Sequence, residues 1–157
     1  MNKHNRQPVD MPKKLSKKEF ERIYAKVPRL CVEVCILISG GVVLTKRAIE
    51  PELGKWHIPG GTYLKGESLT QAVRRIAKAE TGLEVTVDRL LGVIEYHIKE
   101  YRTQPVGLAY LVRPRRKRIS LKTDFQANEI RIYAQVPAGT VQDQARFLRR
   151  HFPFGNR

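Results

Sequence analysis

The stretch "GGTYLKGESLTQAVRRIAKAETGL", Gly60 to Leu83, decides the fold. Paired glycines open it, which marks a tight loop. Leu69, Ala72, Val73, Ile76 and Ala77 then recur at helical spacing, which predicts an amphipathic helix over residues 68–81. Gly82 follows the last periodic residue, where a left-handed stop belongs. A glycine loop running into a helix is a frame for holding phosphate or a metal–phosphate pair. Yet the helix carries few carboxylates, and Glu80 is the one that continues the Leu69–Val73–Ile76 face.

Outward from this stretch the pattern is mixed. Upstream, "SKKEF" places Ser16 three residues before Glu19, a capping-box spacing. Phe20, Ile23 and Tyr24 follow at helical spacing, so a short helix is expected to end before Pro28. "LCVEVCILI" reads as a strand, Ser39-Gly40-Gly41 as a turn and "VVLTKR" as the returning strand. Downstream, "LEVTVDRLLGVIEYHI" holds one or two strands, with His97 read as a strand side chain. "PVGLAYLV" and "EIRIYAQV" hold further strands, and Thr140 is expected to cap a last helix containing Ala145, Phe147 and Leu148. Residues 1–14 are polar and are read as a basic tail. Residues 15–157 are read as one α/β domain that includes the N-terminal helix.

The 23-residue stretch from Gly61 to Leu83 resembles the Nudix box. That family's pattern is Gly, five residues, Glu, seven residues, then Arg-Glu-apolar-x-Glu-Glu-x-Gly-apolar. Gly61, Glu67, Arg75, Ala77, Glu80, Gly82 and Leu83 match it at the right spacing, and "WHIPGG" fits its usual entry. The resemblance implies an α/β/α sandwich with a mixed β-sheet and a hydrolase of nucleoside diphosphates linked to another moiety. It implies Mg²⁺ or Mn²⁺ as cofactor, bound by oxygen ligands. Gly61, Glu67, Arg75 and Gly82 would be structural, with Arg75 pairing with Glu67. The Gly60 carbonyl and Glu80 would hold the metal. A homodimer is also within what the resemblance implies, since many relatives dimerise.

Two departures matter. The family's Glu after the Arg is Ile76, and the first of its Glu pair is Ala79. Neither side chain coordinates a hard cation. The GDP-mannose mannosyl hydrolase branch of the family is similar at these two places, and it points to a nucleotide sugar. From that branch, Gln126 would be a third metal ligand and Arg47 would neutralise diphosphate charge or assist the leaving group. Glu33 would contact substrate. The branch's catalytic base is replaced by Ala127, so the nearby Glu129 would be the substitute base. Attack at the sugar carbon and attack at phosphorus both remain open.

The bulk numbers bound the alternatives. Thirty Lys+Arg against fifteen Asp+Glu give 157 residues a net charge of +15, a surface that attracts polyanions. Nucleic acid is a partner that this charge allows, although aromatic interleaving is sparse around "RPRRKR" and no binding motif is present. Two other readings therefore stand beside the enzyme. One is a Nudix-fold nucleotide or protein binding module that has lost catalysis, and the other is a polyanion or RNA binder. No apolar run reaches membrane-spanning length and no secretory signal is visible, so a cytoplasmic protein is expected. Cys31 and Cys35, four apart on a strand, sit roughly 13 Å from one another and are read as two buried thiols.

Overall fold

The computed structural model describes residues 13–99, 101–116, 120–122 and 127–152, without the side chains of 127 and 128. The expected tail lies outside them up to residue 12, as does Gln126. The elements are α1 (Lys17–Tyr24), β1 (Arg29–Ile38), β2 (Gly41–Arg47), β3 (Trp56–His57), β4 (Gly60–Thr62), α2 (Leu69–Thr81), β5 (Val85–Glu95), β6 (Pro105–Pro114), β7 (Ala127–Tyr133) and α3 (Gln142–His151).

The strands form a mixed sheet in the order β3-β2-β1-β6-β5, with β4 added to β1 and β7 to β2. The β1–β6 pair is parallel, and the other pairs are antiparallel. β1 reads as a nearly unbroken apolar run because both of its faces are covered. Val32, Val34 and Ile36 meet Ala72, Val73, Ile76 and Ala77 of α2 in one core cluster. Cys35 meets Leu44, Trp56 and Ile58, together with Phe147 and Leu148 of α3, in the other. The result is the α/β/α sandwich with a mixed sheet that the resemblance implied. Both cysteines are buried free thiols, and burial pushes both of them up.

The local signals explain the helix ends. Ser68 caps α2 by accepting from Gln71 N–H, while the Gln71 side chain accepts from Ser68 N–H. Gly82 ends α2 at φ 73°, a conformation that suits glycine, and its N–H donates to the Lys78 carbonyl. Ser16 and Glu19 cap α1 reciprocally, as their spacing predicted.

Two expectations are corrected. Thr140 does not cap α3. Its hydroxyl donates back to the Pro137 carbonyl at 2.7 Å, and the N-cap is Val141, which has no side-chain cap bond. His97 is not a strand residue, because β5 ends at Glu95 and the His97 side chain is largely exposed.

Candidate functional site

The loop between β4 and α2 is held by charge. Arg75 reaches back from α2 and donates from Nε to Glu67 Oε2 at 2.9 Å and from Nη2 to Oε1 at 2.6 Å. Nη2 also reaches the Thr62 carbonyl at 3.0 Å, and Glu67 Oε1 accepts from Leu64 N–H at 2.9 Å. The Glu67 side chain is 1% exposed. Burial pushes its carboxyl up, but Arg75 and the Leu64 N–H outweigh that and hold it below its ordinary value. Glu67 and Arg75 thus pair across the loop, as the resemblance implied.

Gly60 is where the site converges. Its N–H donates to Glu80 Oε2 at 3.3 Å, which joins the helix acid to the glycine loop. Glu80 is buried at the end of the α2 apolar face, beyond Ile76. In the sheet, Glu33 is the register partner of Gly60. A Cβ at residue 60 would collide with the Glu33 carboxylate, and a Cβ at Gly107 would come within 2.8 Å of Glu33 Cγ. Both glycines therefore make room for this acid.

Glu33 begins a buried hydrogen-bond chain. Tyr96 Oη donates to Glu33 Oε1 at 2.8 Å and accepts from Gln144 Nε2 at 2.7 Å. Gln144 Oε1 in turn accepts from Ile58 N–H at 2.6 Å, two residues before Gly60. Burial pushes the Glu33 carboxyl up to about 7, against the opposing pull of Tyr96, Arg29 and Arg47. His57 lies alongside, buried, and burial lowers it to about 4. Its Nδ1 donates to the Ile58 carbonyl at 2.9 Å, so Nε2 accepts from Thr45 Oγ1 at 3.0 Å.

The remaining expected residues divide. Arg47 belongs to this neighbourhood. Its charge acts on Glu33, His57 and Tyr101, and its Nε donates to the Pro51 carbonyl at 2.6 Å. Glu129 is engaged by Lys46 at 3.1 Å and Arg131 at 2.7 Å. The hydrogen bond from Lys46 is the main cause holding its carboxyl below the ordinary value, which weakens it as a proton acceptor. Gln126 lies outside the described residues, and so does the Ala127 side chain.

Carboxylate and carbonyl oxygens at Glu80 and Gly60 suit a hard divalent cation in kind. The set is thin. Among the described residues, no group of three or more His, Cys, Asp or Glu side chains gathers to hold a metal. The residues fit an ion that keeps much of its water shell.

Tyr96, Gln144, Arg29 and Tyr101 were not anticipated. Gln144 left a trace: it falls three after Val141 and four before Leu148, on the buried stripe of α3. A polar side chain there needs a partner. The Tyr101 ring packs edge-on to Tyr96 at 6.1 Å, and burial pushes its phenol up to about 12.

The family model of the NUDIX domain matches residues 27–150. The low-salt glycan biosynthesis protein Agl8 of Haloferax volcanii is 45% identical over 78 residues, covering 50% of this chain and 50% of that protein. An ADP-ribose pyrophosphatase of Methanocaldococcus jannaschii is 30% identical over 106 residues, covering 64% of this chain and 63% of that protein. The chain therefore spans half to under two thirds of the length of these relatives. Among solved structures, a NUDIX hydrolase from Nitrosomonas europaea is similar in fold, with a TM-score of 0.70 and 22% identity. The match covers 80% of this chain and 70% of that one.

Proposed function

The chain belongs to the NUDIX family, and on that premise we propose that it hydrolyses a nucleoside diphosphate linked to another moiety, a nucleotide sugar in preference to other conjugates. The observation that carries this reading is the meeting of Glu80 with Gly60 N–H at 3.3 Å. It sets the surviving helix acid beside the glycine loop. The similarity to a glycan biosynthesis protein supports the sugar, and the similarity to an ADP-ribose pyrophosphatase supports the diphosphate.

In this reading Glu80 and the Gly60 carbonyl would hold Mg²⁺ or Mn²⁺, with Gln126 as a further ligand. Bound there, the ion would offset phosphate charge. Arg47 would neutralise diphosphate charge, and Glu33 would contact substrate beside Gly60. Glu67 and Arg75 keep the loop in register. Glu129 is the base carried forward from the sequence, and it must first be released from Lys46 and Arg131.

The test is turnover of a panel of nucleoside diphosphate sugars and ADP-ribose with Mg²⁺ or Mn²⁺, in the parent and in Glu80→Gln. A metal-dependent parent activity that falls on the order of a hundredfold in the variant is expected, the scale of removing one preorganised electrostatic contact. An unchanged rate in Glu80→Gln sinks the reading. A second reading, a binding module without turnover, is favoured by the burial of Ile76, which gives that box position to the core. Tight nucleotide binding with no product formed on any member of the panel would select it.

A further inference from the structure

A cleft of about 290 Å³ opens between the C-terminal end of α1 and the segment that follows β5, lined by Tyr24, Lys26, Tyr101, Arg102, Thr103 and Gln104 among others. We propose that this cleft binds the sugar of a sugar-linked nucleoside diphosphate, an inference that rests on the hydrolase reading above.

Four observations meet here. The first is continuity with the site. Tyr101 forms part of the cleft and packs edge-on to Tyr96, Tyr96 donates to Glu33, and Glu33 abuts Gly60. The cleft and the glycine loop are therefore joined through the contacting rings of Tyr101 and Tyr96. The second is chemistry. Two phenols, a threonine hydroxyl, a primary amide, an ammonium and a guanidinium offer donors and acceptors in the number that a polyhydroxylated ring demands. The tyrosine rings add apolar faces for its C–H groups. The third is size, about 290 Å³, just below the roughly 300–1,000 Å³ of small-molecule pockets. That suits a single sugar ring better than a whole nucleotide.

The fourth is the origin of the wall. Tyr24 and Lys26 precede residue 27, where the NUDIX match begins. α1 buries none of its own residues, so packing gives it little part in the stability of the sandwich. It is nonetheless held beside the site: the Arg29 guanidinium lies 5.4 Å from the centroid of the Phe20 ring, and Arg29 Nη1 donates to Thr62 Oγ1 at 3.2 Å in β4. A helix that adds little to the core and is tied to the strand entering the site is placed to shape what the site accepts. The cationic pair Lys26 and Arg102 also sets the cleft apart from an apolar slot built for a hydrocarbon chain.

The experiment uses the full chain with Tyr24→Ala and Arg102→Ala, two side chains outside the core. Calorimetric binding is measured for GDP-mannose, UDP-glucose and ADP-ribose, and for GDP, UDP and ADP as the same ligands without the sugar. Thermal melts matching the parent confirm that each variant is folded. Each variant is expected to weaken the sugar-linked ligands roughly five- to tenfold and to leave the free diphosphates within about twofold. Equal weakening of both classes, or of neither, overturns the cleft assignment and leaves the hydrolase reading standing. A parent chain that binds no member of either class overturns both.

Discussion

Gly60 has two unlike neighbourhoods. On the α2 side, Glu67 and Arg75 satisfy one another across a single loop, and Glu80 reaches the glycine N–H from the same helix. On the α3 side, Glu33, Tyr96, Gln144 and Ile58 come from four separate parts of the chain and form one buried relay. The first neighbourhood keeps its braced carboxylate below the ordinary range, and the second lifts Glu33 to about 7. The contrast teaches that a local motif can secure a loop with a charged pair, whereas an acid enclosed by tertiary packing is left to a phenol and to desolvation.

The sharpest way to break this comparison is Arg75→Ala. It strands the 1%-exposed Glu67 side chain without its cation, and a loss of about 4 kcal/mol is expected in denaturant melts. A loss below about 1 kcal/mol would place this pair with ordinary surface bridges. Next in size is the pH dependence. The folded chain holds an extra proton on Glu33 between its ordinary 4.5 and about 7, so this group makes stability fall as pH rises through that window. His57 acts the other way. Its folded value near 4 lies below the ordinary 6.5, so the unfolded chain takes the extra proton and stability rises with pH across that interval. The two slopes oppose between pH 4.5 and 6.5. Glu33→Gln removes the falling limb, and the variant should gain on the parent between pH 5 and 8 by up to about 3 kcal/mol in melts followed across pH. Parallel stability curves for the two proteins would refute the elevated Glu33.

Smaller still is Gln144→Leu, which leaves the Ile58 N–H and the Tyr96 hydroxyl short of partners. About 2 kcal/mol should be lost, and the loss should add to that of Arg75→Ala if the two neighbourhoods are independent. Strong coupling in the double variant would merge them. The smallest change in stability is expected at Ala79→Glu. Ala79 is exposed on α2, so the substitution should stay within about 0.5 kcal/mol while tightening Mg²⁺ binding measured by titration. No gain in affinity would count against a metal beside Glu80.

How much was legible follows the same division. Between Gly60 and Gly82 the periodicity carried the helix and its stop and the resemblance carried the Glu67–Arg75 pair, because each depends on contacts within a few turns. The run "LCVEVCILI" was legible as a strand, and the structure shows that both of its faces are buried. Tyr96 and Gln144 were not, since their partners are set by how β5 and α3 pack against β1, and nothing in a single stretch encodes that distance. Glu33 was put forward only by the resemblance, as a substrate contact. The Thr140 cap failed for a local reason: its hydroxyl found the Pro137 carbonyl before the helix began. Gln126 lies outside the described residues and stays where the resemblance put it.

β1 also governs how the molecule comes apart. Val32, Val34 and Ile36 belong to one cluster and Cys35, between two of them, to the other. Both layers thus rest on the same strand. Unfolding should therefore be a single cooperative event, and a ligand seated over the glycine loop should raise the melting temperature of both helical layers together.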